Sequence, residues 1–160
     1  MLWKPRDEVR IRRVAIPADD LADVPLFSSL SQRQRKRLSR DFKERDFKPG
    51  ATPVRQGHMS GVGFFVLREG EASVSIDGTE VARLGPGDHF GELGLISERA
   101  RTATVTAETR LRCFELAMWD FRRFLKDNPD ASWKLLQYLA DLLAEAEEQI
   151  KTRKRAARRG

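Results

Sequence analysis

Hydrophobic and polar positions follow a short period through the middle of the chain. Between about residues 48 and 116, short apolar runs alternate with turn residues, and at 73–76 apolar and polar side chains alternate strictly. The Asp77-Gly78 pair that follows is a strong signal for a two-residue hairpin. Two further strands are predicted over 102–106 and 110–116. Many short strands separated by glycine-rich turns indicate an all-β sandwich or barrel.

The period lengthens on both sides of this region. Residues 31–42 predict a small amphipathic helix with Ser31 as its N-cap, and residues 118–128 predict a helix that stops before Pro129. A long helix follows, from about Pro129 or Asp130 toward Lys154. Its apolar seam steps by three and four residues over just over two heptads, at Leu136, Leu139, Leu143, Ala146 and Ile150. The seam could pack on the β domain or on a second chain, and both arrangements remain open.

These patterns divide the chain into four parts. We expect an N-terminal arm over 1–24 with a short helix near its end, and a β domain with flanking helices over 25–128. The long helix occupies 129–154 and a basic tail occupies 155–160. The expected fold class is therefore mainly β, with a short N-terminal helical segment and a long C-terminal helix.

Composition excludes several classes of protein. The chain has 160 residues, of which 40% are hydrophobic and 34% charged, as is usual for a single globular domain. Its one cysteine, Cys113, cannot form an internal disulfide or a four-cysteine metal site, and the two histidines, His58 and His89, argue against a histidine-based metalloenzyme. No window approaches the roughly 20 apolar residues of a membrane span, and the charged N-terminus does not resemble a signal peptide. We therefore expect a cytoplasmic protein without a metal.

The net charge of +6 is concentrated at one end of the chain. Residues 151–160 contain six basic residues and no acidic one, so the rest of the chain carries equal numbers of both signs. Such a tail is either a solvated helix end or a surface for nucleic acid, an anionic membrane or a protein partner.

Candidate chemistry lies between residues 90 and 105. Gly91 would let the backbone approach a ligand closely, and a short helical turn that begins at Glu92 would present amides without internal acceptors to an anion. Arg101 could offer its guanidinium fork to the same anion, and Thr102 could add a hydroxyl. A carboxylate beside a phosphate needs a donor of its own, which a ribose hydroxyl supplies to Glu92. An anion next to a ribose suggests a nucleotide.

This segment resembles the phosphate-binding cassette of cyclic nucleotide-binding domains. That family includes the domains of the catabolite activator protein and of protein kinase A regulatory subunits. The family pattern is F-G-E-[LI]-[AG]-L followed, after several variable residues, by R-[TSA]-A-[TSV]-V. The matching residues are Phe90, Gly91, Glu92, Leu93, Gly94, Leu95, Arg101, Thr102, Ala103, Thr104 and Val105. Flanking features extend the similarity over about residues 25–150.

The resemblance implies a double-stranded β-helix jelly roll that encloses a cyclic nucleotide. Arg101 would pair with the cyclic phosphate, Glu92 would accept from the ribose 2'-OH, and Gly91 would pack on the sugar. The amides of Leu93, Gly94 and Thr102 would cradle the phosphate beside Ala103, and Val74 and Val81 are candidates for the apolar wall under the base.

The expected function is that of a stand-alone regulatory module, not an enzyme, whose C-terminal helix responds to the ligand. Cyclic AMP is favoured over cyclic GMP, and no other cofactor is expected. The chain leaves no room for a helix-turn-helix domain after the long helix, so DNA binding in that mode is not expected. The alternative is a ligand-independent interaction protein with a vestigial cassette that acts through its basic tail.

Overall fold

The part of the chain that the structure describes contains eight strands and three α-helices. A computed structural model describes residues 8–12, 15–58, 63–97 and 99–159, with the backbone alone described for 8–12 and for Glu92 and Leu93. The helices are α1 (Gln32–Leu38), α2 (Met118–Asp127) and α3 (Pro129–Arg159), and short 3-10 turns occupy Ala18–Leu21, Pro25–Phe27, Ser39–Asp41 and Glu92–Leu95. The strands are β1 (Glu8–Arg12), β2 (Lys43–Phe47), β3 (Gly63–Glu69), β4 (Ala72–Ile76), β5 (Thr79–Leu84), β6 (His89–Phe90), β7 (Thr104–Ala107) and β8 (Leu111–Ala117).

The strands form two antiparallel sheets. One sheet has the order β1-β2-β8-β3-β6 and the other has the order β5-β4-β7. The β4–β5 hairpin turns at Asp77 and Gly78, both with positive φ, as the Asp-Gly pair predicts. The structure confirms the predicted fold class, a mainly β jelly roll with a short N-terminal helix and a long C-terminal helix.

Strand β3 of the five-stranded sheet is buried on both faces over residues 63–67. Strand side chains alternate between faces, so Phe65 and Leu67 of β3 point into the space between the sheets, whereas Phe64 and Val66 point toward the helices. We call the cluster between the sheets, with Phe65 and Leu67, the inner cluster, and the cluster toward the helices, with Phe64 and Val66, the outer cluster. Cys113 lies in the inner cluster and is 1% exposed. Burial raises the pKa of its thiol to about 12, with smaller contributions from the charges of Glu115 and Asp46.

Helices α1 and α2 begin where the sequence predicts and α2 also ends there, whereas α1 ends at Leu38 and a 3-10 turn occupies Ser39–Asp41. Ser31 forms a capping box with Gln34, because the Ser31 hydroxyl accepts from the Gln34 amide at 3.2 Å and the Gln34 side chain accepts from the Ser31 amide at 2.9 Å. Helix α2 ends at Asp127, before the Asn128-Pro129 pair. None of the described helices is long and apolar enough to cross a membrane.

Two features differ from the sequence analysis. The segment predicted as an arm contains β1, which pairs antiparallel with β2 and extends the sheet, because Val9 and Ile11 alternate with charged residues over five positions. Helix α3 continues to Arg159, so most of the predicted tail is helical. Lysine, arginine and alanine are good helix formers, and cations are favourable at a helix C-terminus.

Candidate functional site

The predicted cassette lies where β6 ends at the edge of the five-stranded sheet. Phe90 anchors this end inside the jelly roll, where its ring stacks on Phe65 with centroids 4.9 Å apart. Gly91 follows with a φ of 85°, and a Cβ at this position would lie 2.6 Å from the carbonyl oxygen of Gly63 on the neighbouring strand β3. Both its backbone conformation and its close approach therefore require glycine. The short helical turn Glu92–Leu95 starts immediately after it, as predicted.

Arg101 reaches into this turn from the segment that precedes β7. Its side chain is 9% exposed. One Nη donates to the carbonyl oxygen of Gly63 at 3.0 Å and the other to that of Gly91 at 3.3 Å. A Cβ on Gly94 would overlap the guanidinium group, so the arginine occupies space that only glycine leaves open. Gly91, just before the turn, and Gly94, within it, thus define the position of the Arg101 guanidinium group.

The backbone of Arg101 is held on its other side by the loop before β3. The Arg101 amide donates to the carbonyl oxygen of His58 at 3.1 Å, and its own carbonyl accepts from the Gly57 amide at 2.8 Å. The preceding Gln56 side chain donates to the carboxylate of Asp77 at 2.9 Å and accepts from its amide at 2.8 Å. The loop is therefore fixed to both Arg101 and the β4–β5 hairpin.

Burial gives the guanidinium group a distinctive electrostatic environment. Desolvation lowers the pKa of Arg101 from its ordinary value, although an arginine still carries its proton at neutral pH. An incoming anion interacts more strongly with a desolvated cation than with one in water, because the local dielectric constant is lower. The arrangement can therefore bind an anionic group at the turn.

The other cassette residues lie on the same two segments. Glu92 and Leu93 form the start of the turn, and their side chains lie outside the described residues. The Gly94 amide, predicted to face a phosphate, donates to the Gly91 carbonyl at 3.0 Å in this arrangement. Thr102 is exposed and Ala103 is half-buried beside it, between Arg101 and β7. The structure thus brings the glycines and the arginine into direct contact and leaves Thr102 accessible.

The two valines predicted to form an apolar wall lie on the hairpin of the smaller sheet. Val74 is half-buried and packs against the inner hydrophobic cluster. Val81 lies at a bulge in β5, opposite the Val74-Ser75 step, and is 55% exposed. They occupy adjacent strands, but only Val74 contacts the core.

Sequence analysis missed Gly63 as a functional residue. Its carbonyl oxygen accepts from Arg101 and limits the space at Gly91. A main-chain oxygen carries no side-chain signature, and the only available signal was the glycine at the start of the apolar run GFFVL.

The turn also contacts the helices. Leu95, its last residue, is 1% exposed and belongs to the outer hydrophobic cluster together with Phe121 and Phe124 of α2 and Leu135 of α3. Displacement of the turn would therefore change the packing of α2 directly and, through the shared cluster, could reach α3.

Comparison with known proteins assigns the family. The sequence profile described as the cyclic nucleotide-binding domain matches residues 44–128, which include the turn, Arg101 and strands β3 to β8. The chain belongs to this family. A cAMP-dependent protein kinase regulatory subunit of Schizosaccharomyces pombe is 39% identical over 106 residues, which cover 66% of this chain and 26% of the relative. A cGMP-dependent protein kinase of Toxoplasma gondii is 36% identical over 96 residues, covering 60% and 10% respectively.

A solved structure supports the same assignment for this cyclic nucleotide-binding domain. The N-terminal domain of a transcriptional regulator from Streptomyces coelicolor A3(2) superposes with a TM-score of 0.74 at 28% identity, covering 82% of this chain and 95% of that one. The chain spans about a quarter or less of the length of the two curated relatives. Within the described residues, no group of three or more histidine, cysteine, aspartate or glutamate side chains could hold a metal ion.

Proposed function

We propose that this domain is a regulatory module, rather than an enzyme, that binds a cyclic nucleotide and favours cyclic AMP over cyclic GMP. The buried Arg101 guanidinium group, packed on Gly91 and Gly94, carries the proposal. A planar fork held in a dry environment suits the two free oxygens of a cyclic phosphate. Preference for cyclic AMP is supported by the similarity to a cAMP-dependent kinase subunit, which is 39% identical over 106 residues.

The remaining cassette residues receive the roles that the family pattern gives them. Glu92 accepts from the ribose 2'-OH, and Gly91 allows the sugar to approach the backbone. The Leu93 and Thr102 amides add donors for the phosphate, and the Gly94 amide joins them when the turn rearranges. Val74 and Val81 line the base, and the exposure of Val81 is consistent with a surface that a ligand covers.

Ligand binding is transmitted through Leu95. A phosphate that draws the turn toward Arg101 moves Leu95, and the cluster it shares with Phe121 and Leu135 then favours one arrangement of α2 and α3. The ligand shifts this equilibrium by no more than the difference in its affinity for the two arrangements. The C-terminal helix is thereby the output of the module.

A second copy of the chain is the proposed partner of that helix. Leu136, Leu143 and Ile150 of its predicted seam are 57%, 62% and 53% exposed, whereas Leu139 packs on the outer cluster. The three exposed residues follow one face of α3 at heptad spacing, as in a helix pair. Sedimentation velocity should show that the wild type is a dimer and that the Leu143→Asp variant is a monomer. A monomeric wild type would exclude the proposed dimer.

The experiment that tests the ligand is calorimetric titration with cyclic AMP and then cyclic GMP, using protein freed of bound nucleotide. Arg101→Ala should weaken binding by roughly 100-fold, because it removes a charge-assisted bidentate contact worth about 3 kcal/mol. Arg99→Ala is the matched control, since this arginine is exposed two residues earlier in the same segment. Flat titrations with both nucleotides would reject the proposal and favour the alternative, an interaction protein that acts through the basic end of α3.

A further inference from the structure

A groove remote from the cassette lies between α1 and the C-terminal end of α2. It has a volume of about 880 Å³, and Arg33, Lys36, Arg37 and Arg40 of α1 and its flank form one wall. Arg123 and Asp127 of α2 lie across from them, with Phe124 between. None of its lining residues belongs to the segment 91–103.

The charge of this region is locally unbalanced. Residues 31–48 contain eight basic and three acidic residues, although the chain before residue 151 is neutral as a whole. A second cavity of about 300 Å³ adjoins the groove, shares Arg40, Asp41 and Arg123 with it, and adds Lys43 and Asp120. Because these two added charges cancel, the excess of basic residues belongs to the groove itself.

The acidic residues in the groove are already paired. Asp127 forms an ion pair with Arg37 at 2.9 Å, and Asp41 lies 3.7 Å from Arg123. Desolvation and the charge of Asp120 raise the pKa of Asp41. By contrast, Arg33, Lys36 and Arg40 are exposed and form no ion pair within the described ranges of the chain. Three cations thus remain available on one wall.

Their spacing forms a straight row. Positions 33, 36, 37 and 40 fall on one face of a helical segment, because side chains three and four residues apart are neighbours. At 1.5 Å per residue the row is about 10 Å long. Along an extended peptide, side chains on the same side recur about every 6.6 Å, so the row fits two or three successive acidic side chains.

We propose that this groove binds an acidic peptide segment of a partner protein. A peptide can enter the space between two helices, whereas a nucleic acid duplex or a membrane presents a convex or flat surface. The two carboxylates in the lining are paired with arginines, so the charge that the groove leaves unpaired is positive. The groove shares no residue with the cassette.

The test is a fluorescence anisotropy titration of the full chain with a fluorescein-labelled octapeptide of alternating glutamate and alanine, at low salt. The triple variant Arg33→Ser, Lys36→Ser, Arg40→Ser should weaken binding at least tenfold. The matched control, Arg153→Ser, Arg155→Ser, Arg158→Ser, removes the same charge from the exposed end of α3 and should change binding less than twofold. Circular dichroism and cyclic nucleotide titration should be unchanged in both.

Any one of four outcomes would overturn the proposal. The groove variant could bind the peptide within twofold of the wild type, or the α3 variant could lose as much affinity as the groove variant. Tighter binding of a single-stranded oligonucleotide or of phosphatidylserine vesicles through the same three residues would assign the groove to another class of partner. If the serine variant is unstable, Arg33→Glu, Lys36→Glu, Arg40→Glu should instead bind a lysine-alanine octapeptide that the wild type does not, and failure to do so would also refute the proposal.

Discussion

Substitution of Gly94 by alanine should separate ligand binding from folding. A Cβ at this position would overlap the Arg101 guanidinium group, which is the far end of a flexible side chain and can move away. The backbone of Gly94 lies outside the left-handed region, so alanine is tolerated there. The displaced guanidinium group would lose its hydrogen bonds to the carbonyl oxygens of Gly63 and Gly91. Gly94→Ala should therefore fold normally with a misplaced arginine.

The expected loss of affinity follows from the contact that is misaligned. A hydrogen bond to a charged group contributes about 1.5–3 kcal/mol, and loss of one such contact to the phosphate lowers affinity roughly 10- to 150-fold. Calorimetric titration with cyclic AMP measures this directly. The melting temperature should fall by no more than about 4 °C, because the displaced group is rehydrated and each kcal/mol corresponds to about 2–4 °C in a domain of this size.

Gly91→Ala is the matched comparison, because it adds the same methyl group three residues earlier. Its φ of 85° and a backbone oxygen 2.6 Å from the new Cβ leave no flexible group that can move. The strained backbone alone costs about 1–3 kcal/mol, which lowers the melting temperature by roughly 2–12 °C, and the clash with the backbone oxygen adds to this loss. Wild-type affinity in Gly94→Ala, or equal destabilisation by both substitutions, would refute the account of Arg101 given above.

Three further predictions concern stability. Phe64→Ala should destabilise the fold by about 3–5 kcal/mol in urea denaturation, because Phe64 is fully buried against Phe27 with ring centroids 5.3 Å apart; a smaller loss than 1 kcal/mol would contradict its place in the core. Ser31→Ala should cost about 0.5–2 kcal/mol by the same assay, because it removes the capping box, whereas Ser28→Ala should cost less because Ser28 caps no α-helix. Asp41 has a raised pKa when folded, so the folded state binds more protons than the unfolded state between the two pKa values and stability falls as pH rises through that interval. Asp41→Asn should remove this component from a pH series of melting temperatures, and an unaltered profile would argue against it.

The hairpin and the helix boundaries could be predicted because local chemistry determines them. Asp77 and Gly78 adopt the positive φ values that their turn requires. Ser31 caps the N-terminus of α1, and Pro129 prevents α2 from continuing. The cassette was equally local, since Gly91 and Arg101 lie ten residues apart on two ends of one loop. The contact between Gly91 and Arg101 can therefore be predicted without knowing how distant parts of the chain pack.

The missed features depend on distant pairing. Strand β1 is stable because β2 offers it an edge, and five alternating residues among many charges give a weak signal alone. The Gly63 carbonyl becomes a partner of Arg101 only when β3 lies beside β6. The basic groove was also missed, because the chain before residue 151 has no net charge and the total does not show that α1 places several basic residues on one face.

The single buried thiol, Cys113, allows opening of the jelly roll to be measured by chemical modification. Burial raises the pKa of Cys113 to about 12, so its thiol stays protonated at pH 8, whereas an exposed cysteine is about one-quarter thiolate. Alkylation therefore proceeds almost entirely through transiently opened molecules, and its rate measures how often the two sheets separate. Because the chain has one cysteine, each modified molecule records one opening at a known position. A bound ligand that contacts both sheets should lower the rate of Cys113 alkylation, and no label has to be introduced to measure it.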